Sequence, residues 1–258
     1  MSSAQYSAKE MLPGVFHIFD SLGVHLTLLV GEKRALLFDA GYGAHDLPAF
    51  IRTLTSLPYE VVLSHVHHDH ALGAIHFERV YLHRNDWDLL PTYTGAFQRQ
   101  RVVERAGLTA AHNEAYLNAP FPAVEDMPET AFDLGGMTAQ PLFAPGHTPG
   151  SVALLVKERG LLLLGDCWNP QTWVFFPEAL PVRQYAKTFH SLMSKPFTHA
   201  LAPHTDTLLT RDFLLKYDKG LNEKGFASAK PFIIAGQEHL PTLAYEPTPG
   251  SLLVFRQP

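Results

Sequence analysis

The segment Ser64-His65-Val66-His67-His68-Asp69-His70 places four metal-capable side chains, His65, His67, Asp69 and His70, within six residues. At this chain's own residue frequencies, His-x-His-x-Asp-His would arise by chance in roughly two such chains per thousand. On an extended segment His65 and His67 point the same way, because side chains alternate. Asp69 and His70, one turn further on, can face a second position. Core packing has no use for such a group, since buried polar side chains without partners are costly. The chemistry these residue types suit is metal ligation. The chain holds 15 histidines against 20 Lys+Arg, and histidine is the commonest metal ligand.

Three later segments have the form needed to complete a site. Ala144-Pro145-Gly146-His147-Thr148-Pro149-Gly150-Ser151 sets a histidine in a turn between two strands. Leu161 to Leu164 runs into Gly165-Asp166, and Leu201-Ala202-Pro203 runs into His204. Each is ordinary turn chemistry alone, and each gains weight beside the first cluster.

The elements that must position these residues are mostly short strands. Gly14 to Asp20, His25 to Val30 and Ala35 to Asp39 are aliphatic or β-branched runs separated by turns. A helix is predicted after Asp46, with Pro48 in its first turn and Leu47, Phe50, Ile51, Leu54 and Leu57 at helical spacing. Val61 to Leu63 is a strand ending at the histidine cluster. Residues 85–129 break the alternation and read as a partly helical insertion. Strands return at Met137 to Phe143, Ser151 to Val156 and Leu161 to Leu164. A helix follows at Arg183 to Ser194 and a strand at His199 to Ala202. The tail from Arg211 is expected to hold one helix and a terminal strand, Ser251 to Phe255. Strand runs with helices between and after them predict sheets covered by helices.

Composition narrows the function. The 258 residues are 46% hydrophobic and 17% charged, with net charge −5. That is a globular composition and not a disordered one. An acidic balance without a basic run argues against nucleic-acid binding. Apolar runs fall short of the ~20 residues of a membrane span, and the first residues show no signal-peptide pattern. A single cysteine, Cys167, precludes an internal disulfide and fits a reducing compartment. The expected location is the cytoplasm, with no membrane partner.

With these four segments in this order, the sequence resembles the metallo-β-lactamase superfamily. Leu37-Phe38-Asp39-Ala40-Gly41 is similar to that family's early Asp-x-Gly turn. The likeness runs over about residues 12–206. It implies an α/β (α+β) fold, a four-layer αββα sandwich with the metal site along one edge of its sheets. Residues 1–258 are expected to form one such domain, with a lid-like insertion at about 85–130 and a C-terminal extension at about 211–258. The resemblance further implies that His65, His67 and His147 hold one metal. Asp69, His70 and His204 would hold a second, with Asp166 bridging and Asp39 steadying the ligands from behind. His68 falls at a variable position of the motif.

The chain departs from the family pattern in places. Pro203 and Thr205 flank the last ligand where the family has glycines. The competing His199 lies at the other end of that strand, about 17 Å away at 3.3 Å per residue. Ala74 follows Gly73 where a second glycine is common. Cys167 adjoins Asp166, and the antibiotic-cleaving members use a cysteine near this point. A one-residue step reverses side-chain direction on a strand, and the Leu-Leu-Gly-Asp context favours Asp166.

Five histidines and two carboxylates suit two Zn²⁺ ions, with Fe or Mn as alternatives. Two metals ~3.5–4 Å apart can share a bridging hydroxide that attacks an electron-rich carbonyl. The implied activity is hydrolysis of a small ester, thioester, lactone or related carbonyl substrate. The resemblance implies that Asp166 and Asp69 are the catalytic carboxylates, with Asp69 passing the proton. Within the family, glyoxalase II-type enzymes and acyl-homoserine lactonases are similar, but the latter carry tyrosine where Asn169 stands here. Alternatives are an iron-dependent persulfide dioxygenase-like oxidoreductase and a phosphodiesterase. The expected partner is a small molecule, and a homodimer is left open.

Overall fold

Turn glycines and β-branched runs at the start of the chain produce a sheet, as their spacing predicts. The computed structural model describes residues 5–257. It divides the chain into two compact units, Met1–Pro141 and Leu142–Pro258.

In the first unit, Tyr6–Leu12, Val15–Asp20, Val24–Val30 and Ala35–Phe38 pair in sequence as antiparallel neighbours. Tyr59–Val62, Arg79–Tyr81 and Ala123–Glu125 extend the same sheet as parallel strands. A parallel pair requires a crossover, and Leu47–Leu54 supplies the first one. Asp46 caps that helix by accepting from the Ala49 amide. The helix stops at Leu54 because Thr55 is extended, so Leu57 lies beyond the helix that its spacing suggested. Ile18, Leu26, Leu37, Ile51 and Leu63 are among its fully buried core residues.

The expected insertion is mostly helical up to Asn118, and after it comes the strand Ala123–Glu125. A 3₁₀ turn at Arg84–Leu89 leads into helices Leu90–Thr94, Ala96–Ala106 and Ala110–Asn118. Buried Arg99 ties these together, donating from its guanidinium to the carbonyls of Thr94, Tyr116 and Ala119. The Tyr116 hydroxyl donates to the Tyr42 carbonyl at 2.6 Å, which fastens the helices to the loop after Asp39.

In the second unit Val152–Val156 pairs antiparallel with Leu161–Leu163. Leu161–Leu163 runs parallel to His199–Leu201, which pairs antiparallel with Leu209–Thr210. Val182–Met193 covers an apolar core that includes Leu162, Phe189 and Phe255. The tail holds more than the one helix and one strand that the sequence suggests. It forms helices Arg211–Gly220 and Glu223–Ser228, then strands Lys230–Pro231, Thr242–Thr248 and Ser251–Arg256. The last of these runs parallel to Gln171–Val174, so the tail completes a sheet begun near Asp166. Among the described residues, no helix is long and apolar enough to cross a membrane.

Candidate metal centre

Strand Tyr59–Val62 delivers the histidine cluster, and backbone hydrogen bonds shape it. The Leu63 amide donates to the Tyr81 carbonyl at 2.9 Å, and the Val66 amide donates to the buried Asp86 carboxylate at 3.1 Å. His65 thus lies in a bend just past the strand, His67 follows with φ −59° and ψ 149°, and a one-turn helix, His68–Ala71, starts after them. His67 occupies the N-cap position without a side-chain cap. Its ring packs instead on Tyr93, with centroids 4.3 Å apart. The His65 ring lies 4.7 Å from His67 and 4.2 Å from His70. Asp69 Oδ2 is 3.6 Å from His70 Nε2. His68 turns aside toward Tyr42, and burial lowers its pKa.

Behind the cluster stands Asp39, held in the left-handed region at φ 69°. Its Oδ1 accepts from the Ser64 amide at 2.7 Å. Its Oδ2 accepts from the Ser64 hydroxyl and from His70 Nδ1, both at 2.9 Å. Ser64 Oγ also lies 2.9 Å from His65 Nδ1. With its proton directed to Asp39, Ser64 accepts from His65. The turn after Asp39 packs against the segment after His70. The Ala40 amide donates to the His70 carbonyl, and the Gly73 amide to the Gly41 carbonyl. A Cβ on Gly73 would lie 1.9 Å from the Ala40 carbonyl oxygen, so that glycine is required. The neighbouring Ala74 is simply buried in the core.

In the second unit, His147 stands in a tight turn. Ser151 Oγ accepts from the Thr148 amide at 3.0 Å, and the Gly146 amide donates to the Thr148 carbonyl. His147 Nδ1 donates to the Trp173 carbonyl at 2.5 Å. Leu161–Leu163 ends in a 3₁₀ turn, Gly165–Cys167, where Gly165 adopts φ +50°. That turn puts Asp166 Oδ2 3.4 Å from His147 Nε2 and Oδ1 3.5 Å from His204 Nε2. Cys167 points into the apolar core instead, and burial pushes its thiol up to about 12. His199 begins its strand beside Thr198, 2.9 Å from that hydroxyl.

Among the described residues, the grouped histidines and carboxylates that could hold a metal ion are His65, His67, Asp69 and His70 in the first unit and His147, Asp166 and His204 in the second. A family model, that of the metallo-beta-lactamase superfamily, matches residues 20–219. The chain belongs to the metallo-beta-lactamase superfamily. Among its curated relatives is a "probable metallo-hydrolase", YqgX of Bacillus subtilis, 30% identical over 54% of this chain and 63% of its own length. Another is the acyl-coenzyme A thioesterase MBLAC2 of Gallus gallus, 29% identical over 64% of this chain and 67% of its own. The matched part of this chain therefore spans about two thirds of those relatives. A solved beta-lactamase domain protein from Burkholderia ambifaria shares the fold, with TM-score 0.62 and 22% identity over 97% of this chain and 94% of that one.

The chain has the mixed α/β fold expected from sequence, in a superfamily whose members use divalent metal ions. The residues present fit such an ion. Imidazole and carboxylate donors suit Zn, Fe or Mn. Nδ1 of His65, His70 and His147 each bonds a protein oxygen, the arrangement that orients Nε2 as the ligating atom. Sequence reasoning identified Asp39 but missed Ser64, Asp86 and Tyr93. Ser64 bonds Asp39 and His65, Asp86 holds the Val66 amide and Tyr93 packs on His67, and no local motif marks them.

Proposed function

We propose that this protein is a binuclear zinc hydrolase acting on a small ester, thioester or lactone. The observation that carries the reading is the common tether of three histidines, whose Nδ1 atoms bond Ser64, Asp39 and the Trp173 carbonyl. His17, His112 and His199 also bond a hydroxyl through Nδ1, but His70 and His147 in addition have a carboxylate at Nε2, Asp69 at 3.6 Å and Asp166 at 3.4 Å.

In this reading His65, His67 and His147 hold one ion, Asp69, His70 and His204 hold the other, and Asp166 is shared. When bound, the ions supply a water acidified toward neutral pH and polarisation of the substrate carbonyl. Asp69 takes up the proton released as water attacks and hands it to the departing alcohol or thiol. Asp39 keeps the His70 and His65 rings in their ligating tautomer throughout. The MBLAC2 relatives, named as acyl-coenzyme A thioesterases, favour the thioester among these substrates. Net charge −5 argues against a phosphodiester in nucleic acid.

The test is metal content of untagged protein prepared without chelators, beside Asp166→Ala, followed by assay on ester, thioester, lactone and phosphodiester panels. Near two zinc per chain, lost in the variant, with thioester or ester turnover is the expected result. One iron per chain without hydrolysis would replace this reading with iron-dependent persulfide oxidation. Absence of any bound metal would sink the ligand set.

A further inference from the structure

The second unit contains a buried set of hydroxyl groups that the reaction above does not use. Tyr185, on helix Val182–Met193, and Tyr217, on helix Arg211–Gly220, are 2% and 0% exposed, with hydroxyl oxygens 3.0 Å apart. Phenols are rarely buried without a polar partner, and these have partners beside the expected ligands. The Tyr185 hydroxyl donates to the Cys167 carbonyl at 2.8 Å, one residue beyond Asp166. Its proton being committed there, Tyr217 donates to Tyr185. The Tyr217 oxygen also meets the Thr172 side chain. Thr172 Oγ1 accepts from the Asn169 amide at 3.0 Å and donates to the Asn169 carbonyl at 2.9 Å. The next residue, Trp173, provides the carbonyl that accepts from His147 Nδ1.

Tyr185 also touches the His147 turn from the other side. A Cβ on Gly146 would lie 2.9 Å from Tyr185 Cδ2 and 3.3 Å from its Cα. The ring therefore backs directly against the residue before His147. One pair of tyrosines thus reaches the Asp166 turn, the Gly146–His147 turn and the strand whose carbonyl orients His147. Burial holds both phenols neutral, so they remain donors across the working range of an enzyme.

We propose that Tyr185 and Tyr217 are positioning residues that set Asp166 and His147 for metal binding, making helix Arg211–Gly220 part of the metal centre's support. This rests on the ligand roles of Asp166 and His147 proposed above. The tyrosines touch no metal. They fix the backbone on which two ligands are mounted, and removal of such outer partners lowers metal affinity by roughly 10–100-fold.

The test is titration of metal-free wild type, Tyr185→Phe and Tyr217→Phe with Zn²⁺ against a chromophoric chelator. The visible spectra of the Co²⁺-loaded proteins and the unfolding midpoints of the metal-free proteins are recorded beside it. Tyr185→Phe is expected to weaken the looser of the two bound ions about 10-fold and to shift the Co²⁺ bands. Tyr217→Phe, which leaves the Cys167 contact in place, should do the same to a smaller extent. Unchanged affinity and unchanged bands in both variants would overturn the proposal, even if their unfolding midpoints fall. Should Tyr185→Phe fail to fold, Tyr217→Phe decides alone by the same two readouts. Wild type that binds two ions but hydrolyses none of the panel would remove the proposed function and leave this inference to stand on its titrations. Wild type that binds no ion would end both.

Discussion

Asp39 and His70 meet at 2.9 Å, carboxylate Oδ2 to imidazole Nδ1, across 31 residues of chain. The same carboxylate reaches a second histidine, since Ser64 bonds Asp39 with its hydroxyl and lies against His65 Nδ1. A single acid thereby sets the tautomer of two expected ligands. Its left-handed backbone is tolerated by Asp and Asn more readily than by most residues. Asp39→Asn should therefore keep the turn and lose the charge and part of the accepting capacity. Metal affinity and turnover are expected to fall about 10–100-fold with little change in fold. Chelator competition and far-ultraviolet circular dichroism check this, and unchanged affinity would count against the role given to Asp39.

The contact between Gly73 and the Ala40 carbonyl permits a test of packing free of chemistry. Gly73→Ala places a methyl 1.9 Å from that oxygen, and the turn carrying Asp39 must shift. The expected loss is ~3 kcal/mol in urea unfolding, at the upper end of overpacking effects, with metal affinity falling alongside. Gly107→Ala is the control. Nothing lies within 4 Å of that site, and only its φ of +58° opposes a side chain, a strain of about 1–2 kcal/mol. Equal losses in the two variants would contradict the packing argument.

The difference between what the sequence revealed and what it concealed follows from the distance over which each role is exercised. His65, His67, Asp69 and His70 are adjacent in the chain, and a strand ending sets their directions, so spacing alone exposed them. Asp166 was legible only beside that cluster and through the family resemblance, because the Gly-Asp turn, made by Gly165 at positive φ, is ordinary turn chemistry by itself. Tyr185 and Tyr217 look like core positions of amphipathic helices, and only the fold brings their hydroxyls together. The terminal strand Ser251–Arg256 was expected, whereas Thr242–Thr248 was hidden in part by Pro247, which ordinarily demotes a strand. Here it falls within a register shift between Tyr245 and Thr248, where no ladder hydrogen bond is required of it.

Arg99 is a second place where one buried side chain supports much backbone. It donates to the carbonyls of Thr94, Tyr116 and Ala119, and so closes the end of helix Ala110–Asn118. Arg99→Ala leaves those oxygens without the guanidinium. Charged hydrogen bonds are worth ~1.5–3 kcal/mol each, so local stability of the insertion should fall by roughly that amount or more. The readout is limited proteolysis, with new cleavage expected between residues 84 and 119. Arg99→Lys, with fewer donors, should lie between. Protection equal to wild type in both variants would refute the anchoring role.

Cys167 gives the pH-dependent prediction. Burial first, and Asp166 next, raise its thiol from 9.0 to about 12. The unfolded chain then loses this proton near pH 9 while the folded chain keeps it. Where the unfolded state binds fewer protons, stability falls as pH rises. The contribution is complete below pH 9 and is lost progressively toward pH 12. Cys167→Ala removes that component, so its stability curve should be flatter than wild type between these values and parallel to it below. Since the thiolate is the nucleophile, the native thiol should resist alkylation at pH 8 and react readily in urea. Metal stoichiometry should be the same in Cys167→Ala as in wild type, because the side chain points into the core while Asp166 faces His147 and His204. Rapid alkylation of the folded protein, or loss of an ion in the variant, would reverse the assignment of direction at this turn.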